Sequence, residues 1–339
     1  MKLLEKLFWG AKMNSVYIRT PATTANLGPG FDCLGVSVEL YNYLNATWEK
    51  KVNFKKLSDP ELINWLQNNA KVTIQGEGKN ELTSAGINLF FQALAEMLTL
   101  PPAGCLLPKN LTLTFNNKIP LARGLGSSAA CIVSALSLGK EILSHMGMEI
   151  DRELLLTKAV KLDNYPDNVY PAYLGGAHLI IEDGKNLPLT FSLEIPKDLN
   201  FIFVIPDMKI ISSESRRVLP ESVVFEDAVK NSALLGGLIL AFSKRDFSRL
   251  KKLIKSPLHI PYRSKLIPGY ENVEKAAYEH NALAFTISGA GPTVLAVADK
   301  NCERIGAAMV KSFNSVGISA NYFVSKVDSG GVISRYSCI

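Results

Sequence analysis

The stretch "PLARGLGSSAAC", residues 120–131, sets four small residues (Gly124, Gly126, Ser127 and Ser128) directly ahead of an apolar run at residues 129–138. Small residues leave a backbone open to close approach, and a following helix presents unpaired N–H groups and the positive end of its dipole at its first turn. Two readings fit the stretch by itself: an anion held at a helix N-terminus, or a glycine-rich turn closed by a serine N-cap. A Walker loop is excluded, because no Gly-Lys-Ser/Thr follows, and no strand with a GxGxxG turn and a downstream acid occurs.

Further out, two more glycine-bearing turns stand at "TTANLGPGFD" (23–32) and "SGAGPT" (288–293). The first lies between alternating segments at 15–20 and 35–40, which read as a hairpin with a functional turn. A polar segment follows at 50–69, then a strand near 72–75, a helix near 87–98, the strand "NLTLTFNN" and a helix from the glycine loop to about His145. Two further helical stretches lead through "NYPDNVYPAYLGG" to a strand at 178–181. "FIFVIP" from Phe201 opens a second unit with helices in 222–256, 272–280 and 301–315, and a strand, glycine turn and strand over "AFTISGAGPTVLAVA". This mixture predicts an α+β protein, with an extension at 1–13, a first domain at 14–198 and a second at 199–339.

The 339 residues are 47% hydrophobic and 20% charged, which suits two packed domains. The run at 129–138 is half the ~20 residues of a membrane span, so no membrane association is expected. A net charge of +6 is modest, and its densest patch, "KRDFSRLKKLIK", reads as the solvated face of an amphipathic helix, so no nucleic-acid partner is expected. Five scattered cysteines without a CxxC pair predict neither disulfides nor zinc, and point to a reducing cytoplasm.

In order and spacing, the three glycine segments resemble those of the GHMP kinases, the middle one matching the family's Pro-x-x-x-Gly-Leu-Gly-Ser-Ser-Ala motif. Within the family, "TANLGPGFDCLG", "PDNVYPAYLGG", "LHIPYRSKLIP" and "SGAGPTVLAV" look most like segments of the homoserine kinases, and the resemblance runs from about Ser15 to about Ala298. It implies a ribosomal-S5-like N-terminal domain, a ferredoxin-like C-terminal domain and, as in relatives, a possible homodimer. It further implies that Pro120, Arg123, Gly124, Leu125, Gly126, Ser127, Ser128 and Ala129 hold ATP, with Asn88 on the adenine side and Ser128 and Asp163 on Mg2+. For L-homoserine as the small-molecule acceptor, it implies Asn26 and Asp32 at the ammonium, Arg216 and Arg263 at the carboxylate, and Asp167 and Asn168 beside the hydroxyl, with the role of Asp167 as a base open.

The chain departs from that pattern where homoserine kinases commonly read Glu-Gly-His-Pro-Asp-Asn. Here the residues are Asp163, Asn164, Tyr165, Pro166, Asp167 and Asn168, so the metal carboxylate is one methylene shorter and a tyrosine replaces the histidine. Another GHMP small-molecule kinase, or a nucleotide-binding protein without turnover, is the alternative reading.

Overall fold

The computed structural model describes residues 13–82, 87–182, 184 and 188–338. Residues 1–12 of the expected extension lie outside the described residues. In chain order the first half comprises β1 (Met13–Asn26), β2 (Gly30–Glu49), β3 (Val52–Lys55), α1 (Asp59–Asn69), β4 (Lys71–Gly76), α2 (Asn88–Leu98), β5 (Cys105–Pro108) and β6 (Thr112–Asn117). It continues with α3 (Ser127–Ser144), α4 (Arg152–Asp163), α5 (Pro166–Leu174), β7 (Ala177–Ile181) and β8 (Leu189–Leu193).

β1 shows how one strand serves two environments. From Met13 to Arg19 its residues alternate between half-buried and buried, the period of a sheet with one packed face. From Thr20 to Asn26 every residue is buried, because the strand runs on between the two halves of the molecule. Its polar side chains there have partners: Thr20 with Ser134 at 2.7 Å, Thr24 with Ser288 at 2.9 Å, Thr23 with Asn168 at 2.8 Å. β1 and β2 pair antiparallel along nearly their whole length, and within the first sheet the order runs β1-β2-β6-β4, with β7 on β2 and β8 on β7. α2 and α3 cover it, and Gly139 lets them approach so closely that a Cβ there would meet the Met97 side chain. The polar stretch 50–69, which carries little apolar periodicity, contains β3 and α1; the helix buries Leu62 and Leu66, with Ile63 and Trp65 packed half-buried beside them.

The second half comprises β9 (Asn200–Pro206), α6 (Ser212–Arg217), α7 (Phe225–Lys244), α8 (Leu250–Leu253), α9 (Ile260–Arg263), α10 (Tyr270–Glu279), β10 (Ala284–Ile287), β11 (Val294–Ala298), α11 (Cys302–Ser315), β12 (Ala320–Ser325) and β13 (Ile333–Cys338). β9 to β12 form an antiparallel sheet in the order β10-β11-β9-β12, the strand order of a βαββαβ ferredoxin-like unit. α10 and α11 cover one face through Val273, Ala277, Ile305, Met309 and Phe313. The chain then crosses back, and β13 pairs with β1 as an edge of the first sheet, so the 199–339 stretch contributes one strand to the other half.

Candidate active site

The three glycine turns are knit together by their backbones. Thr23 N–H donates to the Leu125 carbonyl at 3.2 Å, Gly289 N–H to Ala25 at 3.2 Å, and Thr293 N–H to Arg123 at 3.3 Å. Glycine is required mainly by this packing: a Cβ on Gly124 would strike the Ser288 carbonyl and one on Gly126 the Thr23 hydroxyl, and both residues have positive φ. The N-cap of α3 is Gly126, in the left-handed region at φ 68°, and no side chain caps the helix. Ser127 and Ser128 therefore sit inside the first turn, which rules out the serine-cap reading and leaves an uncapped helix N-terminus facing a cavity of about 250 Å3.

Residues 122–129 line one wall of that cavity, opposite Asp163, Tyr165 and Asn168. Leu125 and Ala129 have side chains buried in the core, so they offer only backbone to the cavity. Arg123 lines the cavity and pairs with Asp207 at 3.3 Å, while Pro120 precedes the loop, half-buried. Beyond Ala122, Ser127 and Ser128 a second cavity of about 320 Å3 opens, walled by Tyr43, Leu44, Leu82, Ile87, Phe90, Phe115 and Leu121. Asn88 does not line it; the residue is exposed at the start of α2 and accepts a hydrogen bond from Gln67 at 3.3 Å.

The segment 163–168 is a helix end, a turn and a helix start. Asp163 closes α4, Asn164 is left-handed at φ 64°, Tyr165 is extended, and Pro166 is the first residue of α5. Proline at that position forfeits no helical hydrogen bond, and asparagine tolerates the left-handed cap. The turn places Asp163 on the cavity lined by the 122–129 loop and Asp167 on a smaller one beside it, with Tyr165 and Asn168 on both. Burial, offset in part by a Ser128 hydrogen bond, pushes the Asp163 carboxyl up to about 6. Asp167 is only 2% exposed, and burial, aided by the charges of Asp32 and Asp163, raises it to about 8. Asn168 donates to Asp167 at 3.2 Å and accepts from Thr23 at 2.8 Å, so Thr23 fixes which way the Asn168 amide faces.

A third and smaller cavity, about 50 Å3, lies past Tyr165, Asn168, Ser212, Gly289 and Ala290, which also line the cradle, and is walled by Asn26, Asp32, Asp167, Arg216 and Arg263. Asn26 is spent on structure: its amide donates to the Gly289 carbonyl at 2.9 Å and its oxygen accepts from Asp32 N–H at 3.0 Å. Arg263 is 4% exposed, held by the Gly289 carbonyl at 3.0 Å, and burial lowers its pKa to about 10. Arg216 reaches Asp32 through Nη2, at 2.9 and 2.8 Å to the two oxygens. Both guanidiniums lie over the Phe31 ring, at 4.9 Å for Arg263 and 5.5 Å for Arg216, and Phe31 also stacks on buried His259 at 5.0 Å. Burial takes the His259 pKa down to about 4, so a neutral ring stands beside the two cations.

The structure thus brings Asn26, Asp32, Asp163, Asp167, Asn168, Arg216, Arg263 and the 122–129 loop to one cleft, and leaves Asn88 outside it. Sequence reasoning did not single out Thr23, Phe31, Ser212, His259 or the apolar cavity. Thr23 and Phe31 stood within a quoted motif, but their roles come from partners more than a hundred residues away.

Residues 88–176 match the family described as GHMP kinases N terminal domain, and residues 238–315 match GHMP kinases C terminal. The chain belongs to the GHMP kinase family. Inside that family its full-length similarity is to homoserine kinases: 36% identity to that of Halothermothrix orenii, over 94% of this chain and 96% of the relative, and 35% to that of Microchaete diplosiphon, over 95% and 98%. A crystal structure of homoserine kinase from Cytophaga hutchinsonii superposes with a TM-score of 0.79 at 25% identity, covering 95% of this chain and 97% of that one.

Proposed function

We propose that the chain is an ATP-dependent kinase that transfers the γ-phosphoryl group to the side-chain hydroxyl of L-homoserine, giving O-phospho-L-homoserine and ADP. The observation that carries this reading is the run of three confluent cavities: an apolar one sized for a base, an uncapped helix N-terminus with a glycine loop, and a pocket holding one carboxylate and two guanidiniums. An adenine ring fits the first by burial, phosphates fit the second by N–H donors and dipole, and a zwitterion fits the third by charge.

Ser128 and Asp163 fit Mg2+, since the two side chains already bond to each other at the cradle and burial of the Asp163 carboxyl, only partly offset by that bond, raises its pKa. When bound, the ion would neutralise charge on the phosphates. Such an ion would be completed by phosphate oxygens and water. Phosphoryl transfer has a loose transition state, so the work of the protein is alignment and charge placement. Arg263, anchored on carbonyls, fixes the acceptor carboxylate; Asp32 receives the ammonium; Asp167, steadied by Asn168, holds the hydroxyl toward the cradle.

Free thiols at Cys33, Cys105, Cys131 and Cys302 suit a reducing cytoplasm, and no described helix is long and apolar enough to cross a membrane. A homodimer would cover the exposed Phe225, Val229 and Leu240 of α7. A coupled ADP-release assay with L-homoserine, L-threonine, L-serine and mevalonate tests the proposed function. Homoserine-dependent release is expected, whereas release with mevalonate alone, or nucleotide binding without release, would overturn it.

A further inference from the structure

The acceptor pocket is closed by its own charges. Arg216 lies between two rings, 5.5 Å from Phe31 and 4.8 Å from Tyr165, and its Nη2 spans both oxygens of Asp32. Burial would lower the Arg216 pKa, but the Asp32 contact together with the charges of Tyr165 and Asp167 outweighs it and the net shift is upward. The two groups assigned to opposite ends of the acceptor are therefore bonded to each other, and the cavity they share is the smallest of the three.

The contact is built to exchange. It uses one guanidinium nitrogen instead of the two-nitrogen fork of the strongest arginine–carboxylate pairs. The side chains remain 40% and 37% exposed, so water screens the pair. Arg263 contrasts with it, being buried and held on the Ser215 and Gly289 carbonyls.

We propose that this pair is a charge-exchange latch: a zwitterionic acceptor opens it by replacing both halves at once, ammonium on Asp32 and carboxylate on Arg216, and ligands bearing one charge are rejected because they leave one half of the pair unpartnered. The inference rests on the acceptor reading above and adds a source of selectivity to it. An amino acid replaces the one ion pair with two and leaves neither protein charge unpartnered. A hydroxy acid takes Arg216 and strands Asp32, and an amino alcohol does the reverse, each exchanging one pair for another at the cost of an unpartnered charge.

The test is calorimetric binding, with ADP present, of L-homoserine, 4-hydroxybutyrate (no ammonium) and 3-aminopropan-1-ol (no carboxylate) to wild type, Asp32→Asn and Arg216→Met. If the two residues only contact their own ends of the ligand, Asp32→Asn leaves 4-hydroxybutyrate affinity unchanged. If they form a latch, Asp32→Asn frees Arg216 and binds 4-hydroxybutyrate about 3- to 10-fold more tightly than wild type does, while homoserine binds more weakly. Arg216→Met gives the mirror result with 3-aminopropan-1-ol, so the inference does not hang on one variant. Unchanged or weaker binding of the singly charged ligand in both variants overturns it. Homoserine turnover by wild type, read in the same preparations, keeps the two conclusions apart: its absence with the affinity gains present would sink the acceptor assignment and leave the latch standing.

Discussion

Between the phosphate cradle at residues 122–129 and the acceptor pocket around Asp32 and Arg216, the groups that hold the site change from backbone to side chain. The cradle is fixed by N–H to carbonyl bonds among three loops and by glycines that admit no Cβ. The acceptor pocket is set by charges and rings: Asp32 against Arg216, both arginines on Phe31, and Asp167 raised by burial and further by its acidic neighbours. Backbone scaffolding suits a ligand that every kinase of the family shares, since N–H groups and a helix dipole recognise any polyphosphate. Side-chain charge suits the partner that must be chosen, since a substitution there changes which molecule fits without disturbing the fold.

The comparison breaks most severely at Gly124. Ala there would need φ 75° and would drive its Cβ into the Ser288 carbonyl, so Gly124→Ala should cost about 3 kcal/mol or more of stability and abolish detectable ATP binding. Thermal melts and nucleotide calorimetry check both; a stable variant with normal ATP affinity would show that the loops are not interlocked. Next comes Asp163, a side chain serving the cradle. Asp163→Asn should lower kcat on the order of 100-fold, with a steeper magnesium dependence, and Asp163→Glu should stay active. If Asn is near wild type and Glu inactive, the residue serves only the turn before Pro166.

Within the acceptor pocket the two arginines should differ. Arg263→Ala removes a buried cation that also packs on Phe31, and should raise the homoserine KM roughly 100-fold. Arg216→Ala removes a half-exposed one and should raise it about 10-fold, with ATP KM little changed in both. Steady-state kinetics that rank them in the opposite order would mean that Arg216 carries the larger share of the carboxylate and that Arg263 mainly holds the pocket together.

The same division explains what could be read from the sequence. The order of strands and helices was legible wherever apolar periodicity was strong, as in β6, α3 and β9, and α1 was lost because its four apolar residues, Leu62, Ile63, Trp65 and Leu66, fall in one short cluster within a polar run. The cradle was legible because its determinants are contiguous. In the acceptor pocket, residue types were legible through motif resemblance, but their pairing was not: Arg216 and Asp32 are 184 positions apart, and no local pattern foretells that Asn26 is used up by Gly289. The crossing of β13 to the first sheet was hidden for a like reason, since its partner strand is the first in the chain.

A smaller effect separates stability from catalysis at Asp167. Its folded pKa is about 8, against an ordinary value of 3.8, so the folded protein keeps a proton that the unfolded chain releases. Stability from this group is complete below pH 4 and is lost as pH rises toward and through 8. Asp167→Asn removes that slope. Relative to wild type the ligand-free variant should match at pH 4 and melt about 3 °C or more higher at pH 8, while its kcat falls. A melting difference that is flat with pH would mean that Asp167 is already ionised in the folded protein.

The smallest effect is expected at Asn88, where sequence and geometry part. Motif resemblance puts an adenine contact at this position, yet the cavity wall is made by Ile87 and Leu89 on either side, with Phe90, and Asn88 turns outward to Gln67. Consecutive helical residues diverge by about 100°, so if residues 87, 89 and 90 supply the wall, 88 need not face it. Base selection would then rest on apolar burial and on polar side chains among the cavity's lining, such as Asn42, Asn117 and Ser134. Asn88→Ala removes one exposed 3.3 Å contact and should change stability by less than about 0.5 kcal/mol and ATP KM by less than about twofold. Phe90→Ala, by contrast, opens the wall and should weaken ATP and destabilise the first domain together. Comparing the two variants by ATP titration decides the point: a tenfold loss of ATP affinity in Asn88→Ala, without loss of stability, would return the asparagine to the adenine site.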